Sequence, residues 1–133
     1  HVVKLAVNSV SCAASFSQRA AIAALDGPQD GVQDMVEEVA RRRRLVTDGL
    51  RSIPGINSPE PEGAFYAFPS IKGTGLSSAE FENRAMAEAG VALLSGSAFG
   101  EFGEGYVRLS YANSQENLLN ALERLDTFVR TLV

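Results

Sequence analysis

Apolar positions recur along this chain at two spacings, and the change from one to the other falls near residue 56. Before it, Val32, Val36, Val39, Val46, Leu50 and Ile53 lie on one stripe at helical spacing, which predicts a long amphipathic helix from Val32 to Ile53 closed by Pro54-Gly55. Upstream, Ala20, Ala21, Ala23 and Ala24 are strong helix formers, Ser15 is a candidate cap, and Gly27-Pro28 is a stop, so residues 15–26 read as a second helix. A face made of alanines has no bulk. Such a helix buries little alone and is expected to pack closely on a neighbouring layer. The chain opens at His1 directly into the apolar run Val2-Val3-Lys4-Leu5-Ala6-Val7, which reads as the start of an excised segment.

Beyond residue 56 the pattern shortens. Pro59, Pro61 and Gly63 precede Ala64-Phe65-Tyr66-Ala67-Phe68, an expected strand. Ser77 followed three residues later by Glu80 makes a capping box for a helix over 78–89, ended by Gly90. Val91 to Leu94 reads as a short buried strand, and Tyr106 to Tyr111 alternates as another. Asn113 with Glu116 is expected to cap a last helix carrying Leu118, Leu122, Leu125, Val129 and Leu132 on one stripe. The order strand, helix, strand, strand, helix predicts an α/β fold with a small, mostly antiparallel sheet packed with helices.

Composition narrows the function classes. The 133 residues fit one domain, and an apolar content of 45% suffices for a core. A net charge of -4 argues against a nucleic-acid binder. No apolar run approaches a membrane span and no signal-peptide pattern opens the chain, so a cytoplasmic protein is the expectation. The single cysteine, Cys12, and the single histidine, His1, leave no disulfide framework, no metal site and no Ser–His–Asp arrangement. Cys12 reads as a small buried apolar residue.

Three features bear on chemistry. Strand alternation puts Val107, Leu109 and Tyr111 on the core face and turns Tyr106, Arg108 and Ser110 the other way. Arg108 is then either a solvated or structurally paired arginine, or a planar fork presented to a carboxylate. The loop Gly96–Gly105 offers backbone N–H groups to an anion, yet it leads into a strand and matches neither the phosphate-loop nor the dinucleotide pattern; a tight structural loop is the favoured reading. Arg41-Arg42-Arg43-Arg44 points in four directions on a helix. Arg43 falls near the apolar stripe and is expected in a structural ion pair, with Arg41 and Arg44 solvated.

Several phrases, in order, resemble the class I aminotransferases of the aspartate aminotransferase superfamily, the pyridoxal-phosphate enzymes of fold type I. They are Asn8-Ser9-Val10-Ser11-Cys12, Gln18-Arg19-Ala20-Ala21 through Ala24-Leu25-Asp26-Gly27-Pro28, Ile53-Pro54-Gly55, and Pro61-Glu62-Gly63-Ala64-Phe65-Tyr66-Ala67-Phe68-Pro69. Ala89-Gly90-Val91-Ala92, Gly96-Ser97-Ala98-Phe99-Gly100 and Gly105-Tyr106-Val107-Arg108-Leu109-Ser110-Tyr111-Ala112 complete the set. Arg44 departs from the pattern, since close relatives usually carry aspartate there.

The resemblance implies a division into residues 1–28, the end of the large cofactor domain; residues 29–55, a connecting helix; and residues 56–133, the small C-terminal domain. It implies that Arg108 binds the α-carboxylate of an amino acid or 2-oxo acid and that Phe65 is a second substrate contact. It implies pyridoxal 5′-phosphate in the full-length protein, held by a lysine in a Ser-x-x-Lys-like motif and a phosphate-gripping arginine. Neither motif surrounds Lys4 or Lys72, so this chain alone is expected to bind no cofactor, to supply no catalytic or cofactor-binding residue, and to be inactive. A homodimer is expected of the full-length protein, and self-association of the segment. Two alternatives remain open: another fold-type I activity, such as a C–S lyase or synthase, and a stand-alone, non-enzymatic ligand-binding or assembly domain.

Overall fold

The long apolar stripe becomes helix α3, Asp30–Ser52, in the computed structural model, which describes residues 1–133. Only its second half is covered: Val46 and Leu50 are buried and Val39 half-buried, whereas Val32 and Val36 are exposed. The chain divides accordingly into two compact units, His1–Met35 and Val36–Val133.

The first unit contains α1 (Val2–Ser9), α2 (Ser15–Asp26) and the first turns of α3. It buries no residue: Val3, Leu5, Phe16, Ile22 and Leu25 all stand in solvent. The expected cap is displaced by one residue. Ala14 is the N-cap of α2 and Ser15 already helical, and the side-chain amide of Gln18 reaches back to the Ala13 carbonyl at 2.8 Å. Cys12 is exposed, contrary to the expectation of burial, because it lies in the link between α1 and α2, in a unit without a core.

The second unit is built around three short strands, β1 (Tyr66–Ala67), β2 (Leu94–Ser95) and β3 (Val107–Ser110), in the order β1-β3-β2 with both pairings antiparallel. Tyr66 stands opposite Ser110, and Leu94 opposite Arg108. Val107, Leu109 and Tyr111 point into the core as alternation requires. The strands are shorter than the apolar runs that announced them. Ala64 takes a left-handed backbone at φ +56°, which ends regular pairing before Tyr66, and Pro69 has no N–H to donate after Phe68. Pairing resumes irregularly: the Pro69 carbonyl accepts from Val107 N at 3.2 Å, and Ser70 bridges Asn57 on one side and Tyr106 on the other. Val91 has its N–H taken by the Ala85 carbonyl, so the ladder starts only at Leu94.

Helices α4 (Ser78–Arg84) and α5 (Gln115–Val129) complete the core with α3. Ser77 caps α4, its hydroxyl accepting from Glu80 N at 3.3 Å, and a π turn over Ala85–Ala89 ends in left-handed Gly90. The cap of α5 is Ser114, which accepts from Asn117 N at 3.2 Å. Asn113, the expected cap, sits one residue too early and instead accepts from Ser114 N at 2.8 Å. The α5 stripe is buried at Leu118, Leu122, Leu125 and Val129, with Phe128 added, its ring edge-on to Phe81 at 5.5 Å, while Leu132 lies past the helix end and is half-buried. Burial of each such side chain is worth about 1.5–3 kcal/mol. No helix is long and apolar enough to cross a membrane.

Candidate carboxylate-binding site

Arg108 lies at the centre of β3, the strand with a neighbour on each side. Its guanidinium makes no hydrogen bond and no ion pair within the chain. What holds it is aromatic: its carbon lies 4.4 Å from the ring centre of Tyr66 and 4.3 Å from that of Phe99. Tyr66 arrives from β1 and Phe99 from the turn after β2, so the two rings reach it from opposite flanks of the strand. A cleft of about 160 Å³ opens beside it, lined by Tyr66, Ala92, Leu93, Leu94, Arg108 and Ser110. The five N–H donors of an arginine lie in the plane of the fork, and no acceptor of this chain takes those of Arg108, so they are left available to a carboxylate.

The aromatic set continues past Arg108. Phe99 meets Phe68 edge-on at 6.0 Å, Phe68 stacks on Tyr106 at 5.7 Å, and the amine of Lys72 lies 4.9 Å from the Tyr106 ring centre. Phe65 is reached only through Tyr66, against which its ring rests at 4.6 Å; it does not line the cleft. The structure brings Tyr66, Phe99 and Leu94 to Arg108; these add to Phe65, the contact that the family resemblance implies. Register explains the omission. The partner of Arg108 across β2, and the ring delivered by the following turn, depend on strand order, which periodicity does not give.

Two elements hold these rings in place. The first is the loop Gly96–Gly105, several of whose amides are bonded within the loop or to α4. Gly96 N donates to the Tyr106 carbonyl at 2.8 Å and Gly103 N to that of Gly100 at 3.0 Å, while Gly105 N and Tyr106 N both donate to the Ser78 hydroxyl, at 2.8 and 3.2 Å. These bonds support the structural-loop reading. The loop closes because Gly96 and Gly103 touch backbone to backbone; a Cβ on either would strike the other's carbonyl. Carboxylates pin it to α4: Glu104 accepts from Ser78 N and Glu82 from Ser95 N, each at 2.9 Å.

The second element is the turn that delivers Phe65 and Tyr66. Arg43 reaches from α3 to its start, with Nη2 3.3 Å from a Glu60 carboxylate oxygen and Nη1 donating to the Pro61 carbonyl at 3.2 Å. The ion pair expected of Arg43 is therefore present. Arg44 is exposed as expected, but Arg41 is paired, its Nε 2.9 Å from Glu38. Arg42 and Gln115 converge on the same carboxylate, tying α3 to the first turn of α5. Hydrogen bonds from Gln115, Arg42 and Arg41 hold the Glu38 carboxyl well below its usual 4.5, at about 2. At the far end of the turn, Tyr111 is buried, and desolvation pushes its phenol upward.

A surface depression of about 870 Å³ between α5 and the π turn that follows α4 is lined by residues including Glu88, Glu123, Arg124 and Phe128, none of them on the sheet face of Arg108.

Residues 1–125 match the family described as aminotransferase class I and II. The chain belongs to that family. It is 43% identical over 127 residues to an aspartate aminotransferase of Pyrococcus horikoshii, covering 94% of this chain and 32% of that protein. It is 45% identical over 129 residues to a probable N-acetyl-LL-diaminopimelate aminotransferase of Bacillus subtilis, covering 97% of this chain and 33% of the relative. The crystal structure of an aromatic aminotransferase from Pyrococcus horikoshii superposes with a TM-score of 0.91 at 43% identity, over 98% of this chain and 36% of the other. The chain thus spans about a third of the length of the relatives it matches. The fold-type I resemblance and the small antiparallel sheet packed with helices both hold.

Proposed function

We propose that this chain is the carboxylate-anchoring part of an aminotransferase, in which Arg108 grips the α-carboxylate of an L-amino acid or 2-oxo acid. One observation carries the reading: an arginine on the central strand faces a cleft, fixed by two rings and by no acidic residue. An arginine so held is short of a carboxylate. A bidentate pair supplies two parallel, charge-assisted hydrogen bonds and sets the direction of the bound acid. Its contribution to the reaction is orientation, turning the bond to be broken toward the reacting group. Phe65 is a more peripheral contact in this reading, acting against Tyr66.

Aminotransferases work with pyridoxal phosphate, and the residues of this chain do not fit its seat. Lys72 lies over Tyr106, Lys4 is exposed on α1, and neither lines the cleft at Arg108. The role assigned to this chain is therefore binding and orientation of substrate. Residues 1–28 are read as the end of the large domain, 29–55 as the connecting helix and 56–133 as the small domain. The exposed apolar residues of α1 and α2 support an expectation that the segment alone self-associates. A cytoplasmic homodimer as the working form rests on the family.

Two measurements test the proposal. The segment alone, mixed with pyridoxal phosphate and an amino acid, should form no 2-oxo acid; steady turnover overturns the assignment. In the longer aminotransferase that contains it, Arg108→Ala should impair use of substrate while cofactor absorbance titrates as before. Loss of cofactor with substrate affinity intact would place Arg108 elsewhere in the chemistry.

A further inference from the structure

We propose that Tyr66 and Phe99 are positioning residues for Arg108, two ring faces that fix the plane of the guanidinium before a carboxylate arrives. The inference rests on the anchoring role given to Arg108 above and adds to it the device that makes the anchor rigid.

Tyr66 is 37% and Phe99 49% exposed, and neither belongs to the buried core, so core packing does not account for them. Each nevertheless sits within about van der Waals reach of the same guanidinium, at 4.4 and 4.3 Å from its carbon to the ring centres. Each is also held by its own framework. Tyr66 is locked in register opposite Ser110, and Phe99 follows a loop closed by the Gly96–Gly103 contact and braced edge-on by Phe68.

The chemistry separates faces from edges. A carboxylate side chain beside Arg108 would fix it just as well but would take the N–H edge that a ligand needs. A ring takes the face, through cation–π attraction and stacking, and leaves the edge to bind. Rings and ligand carboxylate therefore engage the arginine together. The free side chain loses its rotamer freedom to the rings, so less remains to be lost on binding.

The test uses the full aminotransferase that contains this segment, with four variants: Tyr66→Leu, Phe99→Leu, Tyr66→Phe and Phe99→Tyr. Removing one ring face should raise KM for amino-acid substrates by roughly five- to thirty-fold, and by the same factor whatever the substrate side chain. The ring-keeping variants should stay within about two-fold of wild type, since either ring presents a face. Competitive inhibition supplies the second readout. A carboxylic acid that carries the substrate side chain but no amine should lose affinity in the leucine variants, whereas the matching amine without a carboxylate should keep it. Loss of both inhibitors alike would mean a damaged site and overturn the positioning role. Wild-type KM in both leucine variants, with Arg108→Ala impaired, would overturn the ring proposal and leave the anchor standing. Wild-type KM in Arg108→Ala itself would remove the anchor, and the rings with it.

Discussion

Tyr111 donates its hydroxyl to the carbonyl of Ala64 at 3.1 Å, while its backbone N–H donates to the Phe65 carbonyl at 2.9 Å. One residue, just past the strand that carries Arg108, thus clasps the turn that delivers Tyr66. Ala64 holds φ +56°, which costs a non-glycine residue roughly 1–2 kcal/mol. The clasp helps to hold it there.

Tyr111→Phe keeps the packing and removes the hydroxyl, so it should cost about 1 kcal/mol, read as a lower denaturant midpoint at unchanged slope. The phenol also gives a pH signature. Burial raises its folded-state value above the unfolded one, so its contribution is complete below the unfolded value and fades as pH rises through the folded one. The alkaline limb of stability should be shallower in Tyr111→Phe. An identical limb in both proteins would remove Tyr111 as its source.

The Gly96–Gly103 contact leaves no room for a methyl group, so Gly103→Ala should destabilise the second unit by about 1–3 kcal/mol. Gly31, in α3, is the control: a Cβ there meets nothing within 4 Å, and Gly31→Ala should be neutral or stabilising by up to about 1 kcal/mol. Thermal unfolding of the two variants should shift in opposite senses or leave Gly31→Ala unmoved. Equal losses would mean the loop closes by other means.

At the junction of α3 and α5, Glu38 is held at about 2 by Gln115, Arg42 and Arg41. A depressed carboxyl contributes stability above its unfolded value, and the contribution is lost as pH falls from about 4.5 through about 2. Glu38→Gln should flatten the acid limb across that window and leave the slope near neutrality unchanged. Chemical denaturation at a series of acid pH values reads this directly. A slope identical to wild type would show the three partners adding nothing to folding.

Arg108→Ala in the full aminotransferase should lower kcat/KM by about two to three orders of magnitude, from the roughly 2–5 kcal/mol that breaking a desolvated charge pair costs. Both KM and kcat should worsen, because the anchor orients as well as holds. Arg108→Lys preserves the charge and loses the planar fork, so it should recover only part of the loss. Full recovery by lysine would mean that charge alone suffices there.

Periodicity carried the helices well. The stripes of α3 and α5, the Ser77 cap of α4 and the inward set Val107, Leu109 and Tyr111 were legible because each depends on neighbours within one or two turns. The alternation that turned Arg108 away from the core was legible for the same reason. What stayed hidden depends on partners distant in sequence: Tyr66 and Phe99 meet at Arg108 only through the order β1-β3-β2, which no local pattern encodes. At α5 two adjacent polar residues, Asn113 and Ser114, compete for the same orphan N–H groups and Ser114 takes them, whereas at α2 Ala14 stands at the N-cap with no side-chain bond. Residue type alone predicts burial for Cys12, but its unit has no core to bury it.

The strand that carries Arg108 has a neighbour on each side, whereas the rings come from its two flanks. A slip of β3 by one residue would break two ladders at once, sending Arg108 into the core and Leu109 out of it. Exchanging a residue on an outer strand breaks none. The scaffold therefore separates what must stay from what is free to drift: a charge fixed at the centre with its two rings, and on the β2 side a wall that can be resurfaced one side chain at a time. Redesign of the cleft should begin at Leu94 and Ala92, where a change of shape leaves the backbone of the charge untouched.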